Sequence, residues 1–156
     1  MRVKDLMKRD IITVTERAAL REVVRLLSTS GVSGIPVVDG DGKLVGIITE
    51  HDVVKALMPT YEEIISEESA TLDVNFITTR AYQVRDNPVS SIVTRNVVTV
   101  TQDDPVIRAA SIMVIKKLKL LPVLKDGRPI GTVSRIDIAR ALVEGLESRE
   151  TPGQKA

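Results

Sequence analysis

The chain has 156 residues and a formal net charge of +1, so it fits one ordinary domain and exerts no global pull on nucleic acid or anionic membrane. It has no cysteine, which excludes disulfides and thiolate chemistry and suits a reducing cytoplasm, the expected location. The start, Met1-Arg2-Val3-Lys4-Asp5, lacks the apolar core of a signal peptide, and no apolar run reaches the roughly 18 residues of a membrane helix, so no membrane segment is expected.

Residues 3–57 align with 89–142. Arg9-Asp10-Ile11-Ile12-Thr13-Val14-Thr15 matches Arg95-Asn96-Val97-Val98-Thr99-Val100-Thr101, and Pro36-Val37 matches Pro122-Val123. The offset is 86 residues up to the first hairpin strand; it becomes 85 after the turn, because Asp39-Gly40-Asp41-Gly42 is one residue longer than Lys125-Asp126-Gly127. Such self-similarity marks a duplicated structural unit.

Each copy opens with a β-branched strand, Ile11–Val14 or Val97–Val100. Thr15 and Thr101 suit helix N-caps, and Thr101-Gln102-Asp103-Asp104 has the carboxylate of a capping box. The following helices carry Leu20, Val23, Val24 and Leu27, and Val106, Ala109, Ala110 and Met113, at one-face spacing. Gly31 suits a left-handed C-terminal turn. Two hairpins come next, Ile35–Val38 with Leu44–Ile48 and Leu121–Leu124 with Ile130–Val133, each turning at Asp-Gly. A second helix closes each copy.

These elements define an α/β chain of the α+β sandwich kind, with two β-α-β-β-α repeats paired about a pseudo-two-fold axis. The expected boundaries are repeat 1 over 1–57, a partly helical connecting segment over 58–88, repeat 2 over 89–145 and a polar tail over 146–156. The connecting segment holds all three aromatic residues, Tyr61, Phe76 and Tyr82, so the repeats must pack an aliphatic core. It is too apolar for a free linker, and is expected to pack on the module or form a dimer contact.

Several chemistries fail on residue supply. His51 is the only histidine and no serine sits on a nucleophile elbow, so neither a triad nor a zinc site is expected. Gly40-Asp41-Gly42-Lys43-Leu44-Val45-Gly46 joins two strands, whereas a dinucleotide fingerprint joins strand to helix. Lys116, Lys117 and Lys119 form a short basic cluster that suits a solvated helix end; nucleic-acid binding through it is the weakest rival reading.

The polar chemistry lies in Gly46-Ile47-Ile48-Thr49-Glu50-His51-Asp52 and Gly131-Thr132-Val133-Ser134-Arg135-Ile136-Asp137. Thr49-x-x-Asp52 and Ser134-x-x-Asp137 both fit a capping box. A strand end running into a helix N-terminus also suits an anion, and an aspartate there can accept two hydrogen bonds from a ribose diol. Its recurrence in register with matched strands and prolines favours ribose binding. A purely structural interaction module, with both pairs acting only as caps, is the alternative.

These stretches, with Asp5-Leu6-Met7, Gly34-Ile35-Pro36-Val37-Val38-Asp39 and Leu121-Pro122-Val123, resemble a tandem pair of CBS (cystathionine-β-synthase) domains, a Bateman module. The resemblance implies a regulatory sensor and not an enzyme. It implies no catalytic cofactor, but an adenosine-containing regulatory ligand (AMP, ADP, ATP or S-adenosylmethionine) in the cleft between repeats. It also implies a homodimer and a separate enzyme or transporter as partner. Carried over residue by residue, it makes Asp52 and Asp137 ribose-binding and places Thr49 and Ser134 beside ribose and phosphate. The base pockets would be lined by backbone around Ile12, Thr13 and Val14; Ile35, Pro36 and Val37; Val98, Thr99 and Val100; and Leu121, Pro122 and Val123. In the similar γ regulatory subunit of AMP-activated kinase, basic residues reach phosphate from positions matching Ser33 and Lys119, and His51 and Ile136. The phosphate candidates are therefore His51, Lys119 and Arg135, and the departures at Ser33 and Ile136 argue against triphosphate in both sites.

Overall fold

A computed structural model describes residues 1–66 and 74–147. The rest of the connecting segment (67–73) and most of the expected polar tail (148–156) lie outside the described residues. The elements run β1 (Val14–Thr15), α1 (Leu20–Ser30), β2 (Gly34–Val38), β3 (Leu44–Thr49), α2 (Glu50–Leu57), α3 (Tyr61–Ser66), α4 (Val74–Val84), β4 (Val100–Thr101), α5 (Val106–Lys116), β5 (Leu120–Lys125), β6 (Arg128–Ser134) and α6 (Arg135–Glu147). Short 3-10 turns at Val3–Asp5 and Val89–Ser91 precede β1 and β4. No helix among the described residues is long and apolar enough to cross a membrane.

Two sheets form, each of three strands, in the orders β1-β2-β3 and β4-β5-β6. In each, the short first strand lies parallel to the middle one, with Val14 opposite Val37 and Val100 opposite Val123. A parallel pair needs a crossover, which α1 and α5 supply. The hairpin strands are antiparallel, pairing Ile35 with Ile48 and Leu121 with Val133. The first strands are shorter and later than the β-branched runs suggested: Ile11–Thr13 and Val97–Thr99 precede the ladder.

The sequence repeats are not the compact units. One unit comprises Met1–Ile11 with Val98–Ala156, and the other Ile12–Val97. Each is completed by an arm that precedes the other copy's first strand. In the Ile12–Val97 unit, the Val89 amide donates to the Ala18 carbonyl at 2.9 Å and the Ser90 amide to the Glu16 carbonyl at 3.1 Å. In the other unit, the Val3 amide donates to Asp104 and the Lys4 amide to Gln102, both at 2.9 Å. Val3 and Val89 are each fully buried in the core so formed.

The arms also correct the expected helix caps. α1 starts after Ala19 and α5 after Pro105, neither with a capping side chain. The Leu20 and Arg21 amides donate to the carbonyls of Asn87 and Arg85 at 3.0 and 2.9 Å, and the Val106 amide to Met1 at 3.2 Å. Arm backbone thus satisfies amides that a side chain would otherwise cap. Thr15 and Thr101 sit instead in the paired strands. Gly31 does end α1, at φ 68°, and its counterpart Lys117 ends α5 at φ 56°, a left-handed conformation that is uncommon for lysine.

The cores are aliphatic. Val14, Leu20, Val23, Leu27, Ile35, Val37, Ile48, Val53 and Val89 fill one, with Val84 of the connecting segment packed against them. Val3, Met7, Val100, Val106, Ala109, Met113, Leu121, Val123, Val133 and Ile138 fill the other. Val24, placed on the apolar face by its spacing, is 41% exposed. In the connecting segment, Arg80 binds both Glu63 carboxylate oxygens at 2.7 Å and lies over the Phe76 ring. The Arg80 guanidinium holds the Glu63 carboxyl below its ordinary range.

Candidate functional site

The two Thr/Ser-x-x-Asp stretches fold alike. β3 runs into α2 at Thr49, and β6 into α6 after Ser134. The Thr49 amide and hydroxyl both donate to Asp52 Oδ2, at 2.8 and 2.9 Å, while the Asp52 amide donates back to Thr49 Oγ1 at 3.3 Å. The Ser134 amide and hydroxyl donate to Asp137 Oδ2 at 3.0 and 2.5 Å, and the Asp137 amide returns to Ser134 Oγ at 3.3 Å. The capping box is therefore present in both copies.

The cap engages Oδ2 only. Oδ1 of Asp52 accepts the Thr94 hydroxyl at 2.9 Å. Oδ1 of Asp137 lies 3.5 Å from the Lys8 ammonium. Thr94 and Lys8 are repeat equivalents on the two arms, and composition and spacing did not single out either. Thr94 exchanges two backbone hydrogen bonds of 2.9 Å with Ile47, and Lys8 exchanges two of 2.9 Å with Thr132, the residue equivalent to Ile47. These bonds bring each arm against the hairpin at Gly46 or Gly131. A Cβ on Gly46 would lie 2.1 Å from Val93 Cγ1 and 2.8 Å from the Thr94 carbonyl oxygen; one on Gly131 would lie 2.7 Å from the Lys8 carbonyl oxygen. Close backbone approach therefore requires both glycines.

The expected base-pocket residues divide by face. Ile35, Val37, Leu121 and Val123 are fully buried in their own cores, and Val14 and Val100 join them. Their side chains are committed to packing, leaving only backbone to offer. Pro36 and Pro122 alternate onto the other face of the strands and are also buried. Ile12 and Thr13 are exposed, and Val98 and Thr99 half-buried, just ahead of the ladder. The Ser33 carbonyl accepts the Glu50 amide at 3.2 Å and the Lys119 carbonyl accepts the Arg135 amide at 3.2 Å, placing each beside its helix start.

The phosphate candidates differ in availability. His51 is exposed in the first turn of α2, and Lys119 is exposed ahead of β5. Arg135 is directed elsewhere: its Nε donates to the Leu118 carbonyl at 2.6 Å and a terminal nitrogen to the Lys117 carbonyl at 3.2 Å. It thereby holds the loop after α5. Ile136, the counterpart of His51, is 61% exposed.

Residues 3–59 and 89–144 each match the CBS domain family. With both segments matched and the paired strand-to-helix sites in place, the chain belongs to the CBS domain family, as a tandem pair. It is 35% identical over 155 residues to the uncharacterised protein MJ1426 of Methanocaldococcus jannaschii, covering 92% of each chain. It is 35% identical over 146 residues to a CBS domain-containing protein of Dictyostelium discoideum, covering 93% of each. Among solved structures, the CBS domain pair of protein MJ0100, in complex with 5′-methylthioadenosine and S-adenosyl-L-methionine, is similar at 28% identity and a TM-score of 0.71, with 93% of this chain and 98% of that one covered.

Proposed function

We propose that this chain is a regulatory sensor, not an enzyme, that binds an adenosine-containing ligand through Asp52 and Asp137. One observation carries this reading. An ionised carboxylate offers about four acceptor positions. In Asp52 the cap takes two and Thr94 one; in Asp137 the cap takes two and Lys8 pairs with the outward oxygen. In both copies the carboxylate is anchored through Oδ2, while Oδ1 meets a single arm side chain, Thr94 or Lys8, whose place a diol would take. The adenosyl ligands in the similar MJ0100 pair support this chemical class.

The charge supply favours ligands carrying little negative charge. Arg135 is bonded to carbonyls, Ile136 is apolar and Ser33 is uncharged. That leaves His51 beside Asp52, and for Asp137 Lys119 in the same repeat together with the Lys8 ammonium 3.5 Å from Oδ1. AMP and S-adenosylmethionine suit this supply better than ATP. Binding would act on a separate enzyme or transporter by favouring one conformation of the module over another.

Calorimetric titration with AMP, ATP and S-adenosylmethionine tests the reading. At least one ligand should bind, and Asp52→Ala or Asp137→Ala should weaken it about tenfold or more, as loss of a charged hydrogen-bond partner does. If none binds and each substitution costs only about 1 kcal/mol of stability, the aspartates are caps and nothing else.

The reading includes a homodimer. On α5, Ile107, Val114 and Ile115 are exposed where α1 carries Arg21, Ser28 and Thr29, and that contrast supports a second copy against α5. Sedimentation should give a dimer for the native chain and a monomer for Ile107→Asp; two dimers would remove α5 from the contact.

A further inference from the structure

We propose that Lys8 makes the two carboxylate sites unequal, so that Asp52 takes ligand before Asp137; this rests on the ribose-binding reading above. The backbone frames are equivalent, since each arm residue exchanges two 2.9 Å hydrogen bonds with matching hairpin positions, Lys8 with Thr132 and Thr94 with Ile47. The side chain reaching the outward oxygen differs in charge. At Asp52 it is a neutral hydroxyl, 2.9 Å from Oδ1. At Asp137 it is an ammonium 3.5 Å from Oδ1, with the carboxylate side chain 5% exposed and the lysine side chain 55% exposed.

A diol binds a carboxylate by donating hydrogen bonds. At Asp52 it competes with one neutral donor whose hydroxyl can rotate aside. At Asp137 it must displace a cation from a buried anion, and the buried charge then loses its counter-ion. The exposed Lys8 stem gives the ammonium somewhere to go, so the site is weakened and not closed. Lys8 is thus a specificity-determining residue belonging to the arm, 129 residues from Asp137 in the chain (137 − 8). Two sites of unequal affinity spread the response over a wider ligand range than two equal ones.

The test exchanges the two side chains in the full chain, with neutral adenosine as the probe so that phosphate plays no part. Asp52→Asn isolates the Asp137 site, and Asp137→Asn isolates the Asp52 site. Lys8→Thr should tighten adenosine at the Asp137 site about fivefold, the scale of an ion pair with one exposed partner. Thr94→Lys, at an exposed position, should weaken the Asp52 site by about the same factor. Raising salt should tighten adenosine at the Asp137 site of the native arm and leave the Lys8→Thr site flat, a difference that a purely structural lysine would not produce.

Unchanged or weaker adenosine binding after Lys8→Thr overturns the Lys8 assignment alone. So does a loss of AMP affinity without effect on adenosine, which would make Lys8 a phosphate contact. If adenosine and AMP bind equally well after Asp52→Asn and Asp137→Asn are combined, or neither binds the native chain, the ribose reading falls together with it.

Discussion

Deleting residues 1–8 should unfold the unit built on β4, β5, β6, α5 and α6, and leave the Ile12–Val97 unit folded. The arm places fully buried Val3 and nearly buried Met7 in that core. It also supplies the Val3–Asp104, Lys4–Gln102, Met1–Val106 and paired Lys8–Thr132 backbone bonds. Truncating one large core side chain costs about 2–5 kcal/mol. Removing two core side chains and several ladder partners together approaches the roughly 5–15 kcal/mol that holds a whole domain. Hydrogen exchange reads the result directly: amides of Leu120–Lys125 and Arg128–Ser134 should lose protection, while those of Gly34–Val38 and Leu44–Thr49 keep theirs. Protection retained in β5 and β6 would mean the arm is ornamental.

Gly46→Val should strongly destabilise the Ile12–Val97 unit. Even a methyl group there would lie 2.1 Å from Val93 Cγ1 and 2.8 Å from the Thr94 carbonyl oxygen. The second obstacle is backbone and cannot rotate away, so the arm must lift from the hairpin. Lifting breaks both Ile47–Thr94 bonds of 2.9 Å. Overpacking alone costs about 1–3 kcal/mol, and the lost bonds add to it. Chemical denaturation should therefore show a loss of about 3 kcal/mol or more. Gly46→Ala combined with Val93→Ala should recover part of the loss, because one of the two clashes disappears. Gly131→Ala has no such rescue, because its closest contact is the Lys8 carbonyl oxygen at 2.7 Å. A Gly46→Val chain of native stability would show that the arm does not press on the hairpin. Lifting the arm also withdraws the Thr94 hydroxyl from Asp52, so stability and ligand affinity at that site should change together.

What could be read from the sequence was local. Asp-Gly between apolar runs located the hairpins, Gly31 marked the end of α1, and the Thr/Ser-x-x-Asp spacing placed hydroxyl and carboxylate on one helix turn. The apolar spacing located α1 and α5 but misplaced Val24, which the core does not reach. The missed features depend on distant backbone. Thr15 and Thr101 resembled caps because nothing nearby showed that Asn87, Arg85 and Met1 carbonyls would take the helix amides. Lys8 and Thr94 carry no motif; their importance comes from meeting the hairpin at Thr132 and Ile47, far along the chain. The glycines at 46 and 131 held the clue, since a bare Cα in a buried strand implies that another backbone passes close by.

The exchange of arms also sets an order of events while the chain is being made. One unit, Ile12–Val97, is a single uninterrupted stretch, complete in its core as soon as Ile92 and Val93 are available. The other is split, with Met1–Ile11 at one end and Val98–Ala156 at the other. Its first contacts must close a loop across the whole of its neighbour, an entropic cost that grows only slowly with length but slows folding. A ribosome would thus release a folded Ile12–Val97 unit while Val3 and Met7 still wait, exposed, for their core. During that interval the valine and methionine of the arm are apolar surface without a core, a segment that a chaperone shielding short apolar stretches would cover.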